Sequence, residues 1–168
     1  TLYNGWPLGW DTGFDNANGG NNYLGGVGIE LTDALTFTYI TTYGNFGMRD
    51  NGNDDSYSHS CVLTAGLTDN LQYVLQSEYV RIDNPGRGIL QDQIGLNQYL
   101  FFSLTDAIAL GGRMEWWKDD GTSHYAATGG MNVRLGESLI WRPEYRQSWS
   151  PGIGYDEEIF GMDMILTY

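Results

Sequence analysis

The chain has 168 residues, enough for one domain with a real core. Its hydrophobic content is 41% and its mean hydropathy −0.35, and no run approaches the ~20 apolar residues of a membrane helix; a helical membrane protein is excluded, but a barrel is not. A net charge of −13 argues against nucleic acid as a partner, and the lone Cys61 excludes an intramolecular disulfide framework.

The chain opens at Thr1 with neither an initiator methionine nor a visible signal peptide, as expected of a secreted protein in processed or partial form. Alternation and turn chemistry predict strands at 22–31, 35–46, 57–67, 71–82, 89–104, 108–118, 123–135, 139–149 and 158–168, with the end of a preceding strand within 1–6. Four versions of one turn organise them: Leu31-Thr-Asp-Ala-Leu35, Leu67-Thr-Asp-Asn-Leu71, Leu104-Thr-Asp-Ala-Ile108 and Leu135-Gly-Glu-Ser-Leu139. Each is a short polar turn between apolar residues, the signature of a β-hairpin. Between them lie polar stretches at 47–56, 83–88, 119–122 and 150–157, expected to be longer loops at the opposite end. That asymmetry suits a membrane barrel.

Side chains alternate across a strand, so each strand has two separable faces. The first strands offer mainly Glu30, Thr36, Thr38 and Thr42 to an interior, and Gln76 and Glu78 follow at 71–82 opposite Leu71, Tyr73, Leu75 and Tyr79. At 108–118, Leu110, Met114 and Trp116 suit lipid, and Arg113 and Glu115 suit water. At 123–135, Tyr125, Met131, Val133 and Leu135 oppose His124, Thr128, Asn132 and Arg134. At 139–149, Leu139, Trp141, Pro143, Tyr145 and Trp149 oppose Ile140, Arg142, Glu144, Arg146 and Ser148, and Pro143 removes one ladder hydrogen bond. The last strand is the clearest: Phe160, Met162, Met164, Leu166 and Tyr168 share one face, with Gly161, Asp163, Ile165 and Thr167 on the other. Five large apolar groups facing one way at a terminal strand are what a transmembrane barrel needs at its last seam.

This assignment partitions the charge. The inferred wall holds Glu30, Glu78, Glu115, Glu144 and Asp163 against Arg113, Arg134, Arg142 and Arg146, a balance of −1. Asp33, Asp69, Asp106 and Glu137 in the short turns give −4, and the loops and loop-side strand ends carry −8. The acid excess therefore sits at the rim, where it attracts cations at low salt and is screened beyond ~8–10 Å at physiological salt.

Other clusters carry less. Asp50, Asn51, Asn53, Asp54 and Asp55 form a hard-oxygen group that suits Ca²⁺ in composition, but the spacing and closing Glu of an EF-hand are missing. Ser123 and His124 are strand neighbours on opposite faces and cannot act as nucleophile and base; His59 and Cys61 share a face but make only two ligands of a zinc site. Trp116, Trp117, Tyr125, Trp141 and Trp149 read as interfacial belt and wall residues rather than a sugar-stacking track.

Several motifs together resemble the OmpL-like type-2 β-barrel porins of bacterial outer membranes. Asn4-Gly-Trp6, Gly9-Trp-Asp11 and Asp15-Asn-Ala-Asn-Gly19 are similar to that family's strand end and Asn/Asp-rich loop, and Leu24-Gly-Gly-Val27 to its next strand. The Leu-Thr-Asp turns resemble its hairpins, and Arg142-Pro-Glu-Tyr-Arg146 with Trp149-Ser, the most specific match, its Arg-Pro-Glu-x-Arg strand. Members are typically longer, so the resemblance implies that 1–168 is the C-terminal part of a larger pore-forming barrel. No characterised substrate comes with it.

The expectation is an all-β, antiparallel up-and-down transmembrane barrel, nine to ten strands of it visible in one domain. It would be a non-enzymatic outer-membrane porin that passes small hydrophilic solutes or ions, with outer-membrane lipids as its surroundings and no cofactor. A barrel that anchors or sheathes a partner is the second reading. A soluble sandwich or surface adhesin is the third, and it would need a second sheet over the outward aromatics.

Overall fold

The computed structural model describes residues 2–5, 22–44, 55–84 and 88–166. They form ten strands: β1 (Leu2–Gly5), β2 (Asn22–Thr32), β3 (Leu35–Gly44), β4 (Asp55–Thr68), β5 (Leu71–Asn84), β6 (Gly88–Ser103), β7 (Ile108–Asp119), β8 (Thr122–Leu135), β9 (Leu139–Ser150) and β10 (Tyr155–Leu166). They make one antiparallel sheet in the order β1 to β10, each strand beside its sequence neighbour. This is the up-and-down order expected, and the strand bounds fall within a few residues of those predicted. No helix among the described residues is long and apolar enough to cross a membrane.

The threonine of each Leu-Thr-Asp turn has a physical task. Thr32 Oγ1 accepts from the Ala34 amide at 3.2 Å, Thr68 Oγ1 from the Asn70 amide at 3.4 Å, and Thr105 Oγ1 from the amides of Ala107 at 3.2 Å and Ile108 at 3.0 Å. The hydroxyl satisfies turn amides that the ladder leaves free. In the fourth turn Gly136 takes this position with φ of +79°, so conformational freedom replaces the hydroxyl.

Two expected loops are corrected. The segment 119–122 is a two-residue hairpin, with Asp120 at φ +44° and Gly121 at φ +96°. Positive φ at both central residues is the type I′ geometry that Asp-Gly favours. The segment 150–157 narrows to a turn at 151–154, because β10 begins at Tyr155. These two connections, of two and four residues, span the same range of lengths as the turns at the opposite strand ends. The expected loop at 47–56 lies outside the described residues up to 54, as do Asp50, Asp54 and Tyr168.

Contacts group the chain into two compact units, one of residues 1–63 with 76–95 and one of 64–75 with 96–168. In the first, β2 and β3 pair Glu30 with Thr36, Gly28 with Thr38 and Leu24 with Thr42. In the second, β7, β8, β9 and β10 pair over most of their lengths. Pro143 leaves its mark there: the β8–β9 ladder runs from Gly130–Glu144 to Val133–Trp141 with no pairing between.

Candidate functional site

The second unit carries two contrasting faces. Register places residues in rows across β7, β8, β9 and β10: Arg113, Thr128, Arg146 and Ile159 form one; Gly111, Gly130, Glu144 and Gly161 the next; Ala109 with Asn132 and Arg142 with Asp163 the one after. This is the polar face. The opposite face holds Leu110, Met131 and Met162, then Ile108, Val133, Trp141 and Met164, with Tyr145 beside Phe160. Phe160, Met162, Met164 and Leu166 are 64–67% exposed. Left in water, each would forgo about 1.5–3 kcal/mol of burial. At one end of this face Tyr125 and Trp149 stack with centroids 5.6 Å apart, and Trp116 Nε1 donates to Ser123 Oγ at 3.3 Å.

Two ion clusters stand on the polar face. Arg142 Nε donates to Asp163 Oδ1 at 2.7 Å, and its Nη2 donates to Oδ2, a bidentate pair between directly opposed residues. Glu115 accepts from Arg146 Nη1 and lies 3.0 Å from Arg113 Nε. That second contact lacks hydrogen-bond alignment, so the buried Arg113 Nε–H has no hydrogen-bond partner. Arg113 and Arg146 also reach Thr128 at 3.4 Å and Ser148 at 3.1 Å. The Arg146–Glu115 bridge crosses the whole of β8; Ala126, opposite both Glu115 and Ser148 and 3% exposed, is small enough to pass beneath it.

Glu144 stands between Arg142 and Arg146 along its own strand. Those neighbours turn elsewhere, Arg142 to Asp163 and Arg146 to Glu115, and Glu144 makes no ion pair among the described residues. For Arg142 the directly opposed Asp163 is the nearer carboxylate, since cross-strand partners sit ~4.5–5.5 Å apart against about 6.8 Å for i,i+2 on one strand; Arg146 instead reaches past β8 to Glu115. Arg134 lies further along the polar side of β8, opposite Ile140.

Two aromatics the sequence left unassigned belong to this face. A Cβ on Gly111 would meet the Phe101 ring at 3.6 Å, and Phe101 stacks on Tyr99 with centroids 6.0 Å apart. The run Tyr99-Leu-Phe-Phe102 is apolar on both sides of the strand, which erases the period-2 signal. Trp117 also sits on the polar side, tilted against His124 at 5.0 Å, whereas Trp116 takes the apolar side.

In the first unit, Gln76 donates to Glu78 on one side of β5. The other side has an aromatic cluster in which Tyr57 meets His59 and Tyr79, with centroid separations of 5.5 and 5.7 Å. Next to Tyr79, Arg81 Nε donates to Asp83 at 2.8 Å. His59 Nδ1 is engaged by the Tyr39 hydroxyl at 2.5 Å. Among the described residues no group of three or more His, Cys, Asp or Glu side chains is placed to hold a metal ion.

No curated protein matches the chain. The family model for beta-barrel porin-2, OmpL-like, matches residues 1–163, nearly the whole length, and the ten-stranded antiparallel up-and-down sheet, which is not closed among the described residues, is consistent with part of such a barrel. That family points to a transport or structural role in an outer-membrane β-barrel, and this chain belongs to it: it is an OmpL-like beta-barrel porin-2.

Proposed function

We propose that the protein is a passive diffusion pore in a bacterial outer membrane. The observation that carries this reading is the segregation of β7–β10, with a hydrated ion network on one face and wide-open apolar side chains on the other. Strands of that kind suit a wall between water and lipid. Arg113, Glu115, Arg142, Glu144, Arg146 and Asp163 then line the passage, with Arg134, Glu30, Gln76 and Glu78 further along it. Leu110, Met114, Trp116, Trp141, Tyr145, Phe160, Met162, Met164 and Leu166 meet lipid. Small hydrophilic solutes and ions pass by diffusion, with width and wall charge setting selectivity and no chemistry performed. The near balance of wall charge and the acidic rim give a modest preference for cations, which falls as salt rises.

The test is single-channel recording in planar bilayers. Discrete conductance steps with a reversal potential on the cation side in a KCl gradient are expected. A correctly inserted but silent barrel would favour the anchoring role instead, and anion selectivity would overturn the rim argument.

A further inference from the structure

We infer that the polar face of β6–β10 carries a binding subsite for a neutral saccharide ring. The inference takes its assay from the pore reading, but its geometry stands apart from it. A cavity of about 730 Å³ lies within the second unit, inside the ~300–1,000 Å³ range of small-molecule sites. Tyr99, Phe101, Arg113, Arg142, Glu144 and Asp163 line it. Its depth comes from the row Gly111, Gly130, Glu144 and Gly161, in which Glu144 is the single side chain.

The chemistry of the lining selects the ligand. Two arginines and two carboxylates make it neutral overall, so neither a cation nor an anion is strongly preferred. Tyr99 and Phe101 form a near-parallel pair, and Phe101 is 44% exposed on the face that carries the ion clusters. An exposed ring of this kind suits the C–H face of a pyranose. One group remains open to a hydroxyl: Glu144 has no ion-pair partner among the described residues. A sugar hydroxyl donates to its carboxylate. A linear polyol has the hydroxyls but lacks the flat apolar face.

The experiment is ion-current block of the full-length protein in planar bilayers by maltotriose, with sorbitol as the ringless control. The expected result is saturable block by maltotriose and a merely proportional decrease with sorbitol. Tyr99→Ala and Phe101→Ala should each raise the half-blocking concentration roughly three- to tenfold. Gly161→Leu has open space for its side chain and should fill the trough, abolishing saturation while the conductance steps persist. A conducting pore in which maltotriose acts like sorbitol overturns the subsite and leaves the pore reading intact. Saturable block unmoved by both aromatic variants also overturns it. If the protein proves silent, calorimetric titration of maltotriose into the micelle-folded protein decides: binding weakened by Phe101→Ala supports the subsite, and no binding overturns it.

Discussion

The two faces of β7–β10 are built from alternate residues of the same strands, yet they obey opposite rules. On one face the charged side chains cluster, and arginines reach across one or even two strand spacings to find carboxylates. On the other, methionine, phenylalanine and leucine stand wide open. A residue's character here follows its parity, not its depth in a core: Ile82 and Ala126 are the only buried hydrophobic residues among the described residues. Among the described residues the fold is held mainly by the ladder; in the proposed pore the two faces meet two different media.

The sharpest way to break this comparison is to put the same charge on both faces of β10. Met164→Arg should cost ~2–4 kcal/mol near the bilayer midplane. Gly161→Arg, on the polar face beside Glu144, should stay within about 0.5 kcal/mol. Urea unfolding of the protein folded into vesicles measures both, and equal penalties would abolish the distinction. A smaller effect is expected from replacing Arg142 and Arg146 with Gln. Asp163 and Glu115 then lose their counter-charges, and cation preference should rise at every salt concentration, because in the proposed pore those groups line the path of the permeating ion. Unchanged permeation would mean that this segment does not line the limiting passage.

Two finer effects sharpen the picture. A double-mutant cycle on Glu115 and Arg146 should give a coupling of ~0.2–1 kcal/mol, the range for part-exposed pairs. Ala126→Leu places a branched chain under the bridge and should remove that coupling; persistence would show that the bridge does not need the gap above β8. The smallest effect belongs to the rim. Neutralising Asp50, Asp54 and Asp55 should weaken cation preference at low salt alone, since the screening length falls to ~3 Å at 1 M.

Much of this architecture was legible in the sequence, for a physical reason. Where one face is strictly apolar, as in Phe160, Met162, Met164 and Leu166, period 2 is unambiguous and fixes the parity of the whole strand. The Leu-Thr-Asp turns were legible because a hydroxyl accepting turn amides leaves a fixed signature. The side of β6 was not, because Tyr99-Leu-Phe-Phe102 has no polar half to set the phase. The short turn at Asp120-Gly121 was hidden among neighbouring acids that read as a loop. The partner of Glu115 was illegible for another reason: no single strand's sequence states the register two strands away. The same gap hid the partner of Arg142 on β10.

The central claim is that the polar face of β7–β10 borders water through which solutes pass, while the apolar face borders lipid. Single cysteines at Gly161 and Met162, in a Cys61→Ser background, test it within one strand. A charged, membrane-impermeant thiol reagent applied during single-channel recording should change the conductance at Gly161→Cys and leave it unchanged at Met162→Cys. The reverse pattern, or an unaltered conductance at Gly161→Cys after mass spectrometry has shown complete labelling, would contradict the account.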